Sequence, residues 1–378
     1  MRVKLYDRIE DVPREPWNRL AAGRSVTFSW EFWQIIERSE VNGVEPRHAL
    51  FVGADDVPVA LASYYSISTD IAIFAPRWLR RALASLRRWY PNLLKLQMLE
   101  CGTPVTLNSP PIVATSPEAA VRAAGELDDL LRHTARNEGQ WVIVVRDFEP
   151  GSEFLQPILS GRGYRWVDGL PNTYLDIEWS SPEEYLAAMR SYYRSKLLRH
   201  LRRCREQGVR HELVANFAAV AGLLARQWQV VHESADEFQR EVLTEHFYRE
   251  FASALPGCAR ALLLYRGDEL VGHTLLLKDG ELLRWLYFGK NAAVNESLYI
   301  YAAFQTIAAA IALGARRLEM GLTTYPVKQD LGALAAPIRF ALRGTRWWID
   351  IFVVPVYAML NRTRVPPERP VFKRPVAS

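Results

Sequence analysis

The most restrictive pattern in the chain lies between residues 259 and 333. Three short apolar runs, ARALLLYR, ELVGHTLLLK and ELLRWLYFGK, are divided by Gly267-Asp268 and Asp279-Gly280. Runs of that length parted by tight turn pairs read as antiparallel strands joined by hairpins. A polar stretch follows, then LYIYAAFQTIAAAIALG at helical spacing, then one more strand at 317–321. A β-β-β-α-β order closes a mixed sheet with a helix packed on it.

The first half has the same order. HALFVGADDVPVALASYYS parallels RALLLYRGDELVGHTLLLK, and EAAVRAAGELDDLLRHTARNEGQWVIVV parallels YIYAAFQTIAAAIALGARRLEMG. Around this repeat, 2–6 reads as a strand and 27–39 as a helix. Residues 77–89 read as a basic amphipathic helix, 93–101 and 141–148 as strands. Ser116 caps a helix running to about 137, with Pro117 at its first position. The expected fold class is therefore α/β (α+β): two copies of one unit, with mixed, mostly antiparallel sheets flanked by helices. The expected boundaries are 1–175, 176–346 and an extension with a loose, Pro-rich basic tail at 347–378. A length of 378 residues accommodates two such domains.

Composition narrows the class. Apolar residues make up 49% and charged residues 24%, ordinary globular values. Three widely spaced cysteines, Cys101, Cys204 and Cys258, offer neither a metal motif nor a disulfide framework. The first fifteen residues lack a signal-peptide core. The apolar windows 298–315 and 347–360 are interrupted by Gln305 and Thr306, and by Asp350 and Pro355, so no transmembrane segment is expected. A reducing cytoplasm is the expected setting. Twelve Trp and sixteen Tyr suit well-filled cores or a site that stacks planar ligands.

Ser181-Pro182-Glu183-Glu184 opens a helix that reads on to Gly208. Met189, Tyr193, Leu197, Leu201 and Cys204 form its apolar stripe. Arg190, Arg194, Lys196, Arg199, Arg202, Arg203 and Arg205 cover the rest, with no acid before Glu206. Such a run is commonly a solvated face. Its self-repulsion would be relieved by a polyanion, whether tRNA, a phosphate-bearing substrate or an anionic membrane surface.

The pattern Y-x-R-S-K-L-L-R-x-L-R-R-x-x-E-x-G-V at 193–209 resembles a signature of the GNAT superfamily. With it go Ala310 and Gly314, Glu319-Met320-Gly321, Tyr325-Pro326-Val327-Lys328 and Gly332. This ordered set is similar to the FemAB-like, Fem-type proteins, which carry two GNAT units in tandem. It covers about 170–340 by motif and the first half by architecture. The resemblance implies transfer of an activated acyl group to an amine, forming an amide, with the second unit holding the site.

On that reading Lys328 polarises the carbonyl or binds phosphate, with a solvated surface lysine as the plain alternative. Tyr325 protonates the leaving atom or simply packs. Glu319 acts as base or forms a structural ion pair. His273, alone in an apolar strand, relays the amine proton or is a satisfied core histidine. Arg194, Lys196, Arg199 and Lys290 are the candidate phosphate contacts, and Tyr193, Tyr287 and His232 the candidate substrate contacts. No metal is expected, nor a tightly bound cofactor. The co-substrate is aminoacyl-tRNA or acyl-CoA, and the partner a small-molecule or peptide amine acceptor. Acyl-CoA enzymes of the superfamily carry a glycine-rich phosphate loop where this chain reads KNAAVNESLYIY, which tilts the donor towards aminoacyl-tRNA. A degenerate, non-catalytic binding module is the reading from another class.

Overall fold

The computed structural model describes residues 1–70, 89, 95–105, 109–148, 151–234, 241–292, 297–322, 324–360 and 367–373. The helix expected at 77–89 lies almost wholly outside these residues.

The first half runs β1 (Arg2–Tyr6), α1 (Arg14–Ala21), α2 (Trp30–Arg38), β2 (Pro46–Val52), β3 (Pro58–Asp70), β4 (Lys95–Cys101), β5 (Val113–Ala114), α3 (Pro117–Asn137), β6 (Val142–Phe148), α4 (Gln156–Gly161) and β7 (Arg165–Asp168). The second half runs β8 (Asn172–Asp176), α5 (Pro182–Ala188), α6 (Ser191–Glu206), β9 (Val209–Val214), α7 (Ala221–Ser234), α8 (Glu245–Ala254), β10 (Ala259–Arg266), β11 (Glu269–Asp279), β12 (Leu282–Lys290), α9 (Ser297–Ala312), β13 (Arg317–Glu319), α10 (Tyr325–Asp330) and β14 (Leu334–Ala336). β15 (Arg339–Gly344) and α11 (Trp347–Leu360) complete it.

Two mixed sheets result. One has the order β1-β2-β3-β4-β6-β15-β7, with β5 paired to β3; the other has β14-β8-β13-β12-β11-β10-β9. Each is an antiparallel meander followed by one parallel strand, β4 beside β6 and β12 beside β13. The intervening helices α3 and α9 provide the long crossover that a parallel neighbour needs.

The last two positions of each sheet depart from the expected boundaries. β7 edges the first sheet, yet the next strand, β8, lies inside the second. Conversely, β14 edges the second sheet, and β15 returns to lie between β6 and β7. Each unit thus lends the other one strand. The sheets do not divide at 175, nor does the second unit own all of 176–346. The exchange costs nothing in pairing, because each lent strand keeps hydrogen-bonded neighbours on both sides.

Cores follow the layers. Trp17, Phe32 and Trp33 from α1 and α2 pool with Phe247 and Phe251 of α8 and Leu275 and Leu277 of β11. One apolar mass therefore joins the two halves. On the other face of the second sheet, α6 and α9 bury Leu197, Leu201, Ala302, Phe304 and Ile307.

Two further expectations change. The helix read as continuous from 182 breaks at Met189, whose backbone is extended and forms a β-bridge with Phe372. The tail is also not loose over its described part: Arg190 N–H donates to Val371 O and Lys373 N–H to Ala188 O. Phe372 sits against Trp179 and Tyr185. Gly332 leaves the room it needs, since a Cβ there would lie 2.2 Å from the Phe372 ring. Apolar burial of Val371 and Phe372 outweighs the polar character of the segment around them.

Candidate functional site

The site begins where β12 and β13 part. They pair over three rungs only, ending at Arg284 opposite Glu319. β12 then continues to Lys290 while the chain after β13 turns away at Gly321, whose φ of 75° suits glycine. The β12 edge from Trp285 onward has no strand neighbour on that side among the described residues. Backbone groups along such an edge are available to a ligand. Trp285 and Phe288 meet Tyr299 of α9 on one face. Tyr287 meets Trp228 of α7 on the other.

On the α9 face, α6 and α10 border a shallow, open cleft with a cavity volume of about 30 Å³. Tyr193, Lys196, Leu197 and His200 of α6 line it, with Ile300 of α9 and Val327, Asp330 and Leu331 of α10. Lys196 Nζ donates to Asp330 Oδ2 at 2.5 Å. Asp330 also pairs with Arg369 of the docked tail. His200 Nδ1 lies 3.1 Å from the Ser297 hydroxyl at the head of α9.

On α10 itself, Lys328 is only 3% exposed. Its Nζ donates to Gly321 O at 3.0 Å and Leu322 O at 2.5 Å. Burial lowers its pKa to about 7, against a smaller opposing pull from Glu319. The surface-lysine alternative is therefore excluded. Its ammonium pins the turn between β13 and α10, and Thr324 holds a left-handed backbone (φ 47°) at the same turn. Tyr299 hydroxyl pairs with Thr324 Oγ1 at 2.8 Å, and burial raises that phenol to about 12.

Tyr325 is buried and donates to Pro171 O at 2.9 Å, bolting α10 to the residue that leads into β8. Glu319 is also buried and does not bond Lys328. Arg284 Nη1 donates to it at 2.7 Å and Asn172 Nδ2 at 2.6 Å. Arg284 reaches on to Asp279 at 2.7 Å, and Asp279 accepts from Ser25 Oγ at 2.6 Å and Val26 N–H at 2.8 Å. The carboxylate proposed as a base is thus fixed in an ion-pair chain linking the halves.

His273 is a core residue. Its Nδ1 lies 2.9 Å from Gln227 Oε1 and its Nε2 3.0 Å from the Tyr248 hydroxyl. The side-chain amide oxygen fixes the proton on Nδ1, leaving Nε2 to accept. Complete burial drops its pKa to about 3, so the ring stays neutral. Both nitrogens are occupied, which leaves none for an amine.

The remaining candidates fall in two places. Tyr193 and Lys196 line the cleft, and Arg194 is partly exposed and Arg199 exposed on α6. Among the described residues Arg194, Arg199, Arg202, Arg203 and Arg205 form no ion pair. Lys290 ends β12, opposite Gly272. Tyr287 and His232 lie on the opposite face, towards the first half. Tyr287 donates to Val105 O at 3.0 Å and to Glu241, and His232 stacks on Trp228 at 4.6 Å.

Sequence reasoning passed over Asp330, Asn172 and Arg284. Arg284 carried a readable signal, a lone charge inside LLRWLYF. Arg146 and Asp147 in WVIVVRDF carried a similar one, charge inside an apolar run; Arg146 bonds Glu100 Oε2 at 3.2 Å and the Tyr65 hydroxyl at 3.1 Å. Nothing local marks Asp330 or Asn172, whose partners Lys196 and Glu319 lie more than a hundred residues away.

Two mixed sheets, each an antiparallel meander closed by one parallel strand, give the chain a tandem GNAT-like fold. Residues 8–323 match the FemAB-like family model, described as peptidoglycan biosynthesis/recognition. The chain belongs to the FemAB-like family. The crystal structure of FemX superposes with a TM-score of 0.57 at 12% identity, covering 90% of this chain and 97% of that one. The structure of L-PGS from Bacillus licheniformis gives 0.51 at 10% identity, covering 84% and 90%. Two Mycobacterium tuberculosis proteins (strains CDC 1551 / Oshkosh and ATCC 25618 / H37Rv), provisionally named 8-amino-7-oxononanoate synthase 2, are 28% identical over 330 residues. The match covers 83% of this chain and 42% of those proteins, so the chain spans less than half the length of these relatives. No described helix is long and apolar enough to cross a membrane.

Proposed function

We propose that the chain is an acyltransferase that forms an amide bond, taking its acyl group from an aminoacyl-tRNA. The reading rests on one observation: α6, whose arginines form no ion pair among the described residues, lines a cleft with Tyr193, Lys196 and His200 against α10, the helix that carries the buried Lys328. Five arginines on a single helix suit a phosphate backbone, which Arg binds through several donors at once. Family membership and the FemX-like fold agree with the reaction class.

In this reading the acyl ester reaches the slot beside β12 from the α6 side, and the acceptor amine from the Tyr287 side. The amine nitrogen forms the new C–N bond, the ester C–O bond breaks, and the amine's proton passes to the leaving ribose oxygen. Lys328 serves as a positioning residue. By holding the Gly321 and Leu322 carbonyls it presents the following turn to the developing oxyanion. His273, Glu319 and Tyr325 support the scaffold and take no part in proton transfer. Amine recognition falls to Tyr287 and His232.

The test supplies purified protein with labelled aminoacyl-tRNA or labelled acetyl-CoA and a panel of amines. Labelled amide from the tRNA, abolished by ribonuclease, is the expected result. Turnover with acetyl-CoA that ignores ribonuclease would transfer the donor role to CoA. Tight tRNA binding with no product from either donor would make the chain a binding module.

A further inference from the structure

Helix α11 is apolar on both sides, and the fold covers only one. Its inner face, Ile349, Val353, Val354 and Tyr357, packs on Val142, Val144, Val167 and Leu342 of the first sheet. Its outer face leaves Trp347 77%, Ile351 57% and Phe352 60% exposed, with Trp348 at 39%. Trp348 touches Trp141, itself 48% exposed, which extends the patch onto the sheet edge. Single exposed apolar residues are ordinary on protein surfaces. A contiguous group that includes three tryptophans marks a contact site.

The character of the patch selects its occupant. The helix has 14 residues, about 21 Å at 1.5 Å per residue, well short of a ~30 Å hydrocarbon core. It can lie in a bilayer interface and cannot span it. The patch is the outer surface of a helix and forms no groove for a peptide. Tryptophan favours the headgroup level, where its ring is half solvated. The charge beside it is positive. Arg346 directly precedes the helix and is exposed, and exposed Arg165 stands opposite Leu342, on the side of the sheet that α11 covers. The one acid of the helix, Asp350, is turned inward and accepts from Gly344 N–H at 3.0 Å. We propose that α11 is an interfacial helix that seats the chain on an anionic phospholipid surface, independently of the reaction it performs.

The experiment sediments the full chain with vesicles of phosphatidylcholine alone or with phosphatidylglycerol added. Binding to the anionic vesicles is expected, with a blue shift in tryptophan emission. Ile351→Ser with Phe352→Ser should weaken it about tenfold or more, as removal of an inserted apolar face requires. Arg346→Glu should weaken it on anionic vesicles and leave weak binding to neutral ones unchanged. These side chains are exposed, so the variants should keep the wild-type melting temperature, which a thermal scan checks. Absence of vesicle binding, or equal binding by the double serine variant, overturns the proposal. So does a concentration-dependent dimer, without vesicle binding, that the same variant abolishes, because a second copy would then be the occupant.

Discussion

Helices α4 and α10 hold equivalent places in the two units, each following the parallel strand and preceding an edge strand. Their sequences are QPILSG and YPVKQD, six residues each with proline second. Both end on a glycine with φ of 91°, Gly163 and Gly332. In α4 the Leu159 carbonyl accepts from Arg162 and Tyr164 N–H; in α10 the Lys328 carbonyl accepts from Leu331 and Ala333 N–H. The backbone is the same and the buried side chain is not: leucine in one, lysine in the other, each 3% exposed. The fold accepts leucine there, so stability alone does not call for the lysine. Burying a cation where an apolar group fits opposes folding, and such positions mark function.

The parallel pairs extend the contrast. Both are locked by a buried Arg–Glu pair, Arg146 with Glu100 and Arg284 with Glu319, with the two residue types exchanged between the strands. The second pair continues through Asp279 into the opposite half, at Ser25 and Val26.

Four experiments bear on this contrast. Leu159→Lys should cost about 3–5 kcal/mol, because the first unit's apolar core gives the new ammonium no prepared acceptors. Urea titration measures it, and a tolerated lysine would erase the distinction. Lys328→Met comes next, through pH. The folded pKa, about 7, lies below the unfolded value near 10.5, so the unfolded chain binds more protons between them. Wild-type stability should therefore rise with pH over that window, gaining about 3 kcal/mol on the variant between pH 7 and 9.5. Denaturation at the two pH values reads this out.

The same Lys328→Met variant should lose about 100-fold in kcat with KM little changed, as expected for loss of an oriented oxyanion turn. Steady-state assay with the competent donor decides it, and unchanged turnover would reduce Lys328 to scaffold. Smallest is the paired charge reversal Arg199→Glu with Arg202→Glu on α6. Donor-dependent transfer should fall about tenfold and become less sensitive to salt. Arg122→Glu with Arg136→Glu on the exposed face of α3, the first unit's crossover helix, should leave transfer unchanged.

The order of elements was legible because it is written in local chemistry. Ser116 and Ser181 accept from N–H groups in the first turns of α3 and α5, as their Ser-Pro-Glu starts imply. The three-strand meander matches its two turn pairs. Partner choice among strands was not legible. β8 and β15 are short segments that follow closely on a proline, Pro171 and Pro337, and neither states which sheet it joins. The contacts of the singled-out side chains were not legible: a lysine that ends on backbone carbonyls looks in sequence like any other. His273 was legible only as a choice between two roles, decided by Gln227 and Tyr248 from two other helices.

The traded strands set a condition on biosynthesis. The first sheet cannot acquire its interior strand until residue 344 has left the ribosome, so the amino-terminal half must wait, with β6 and β7 unjoined, while most of the polypeptide is made. Cutting the gene at its apparent midpoint would yield two fragments, each short of a strand, that pair properly only when mixed.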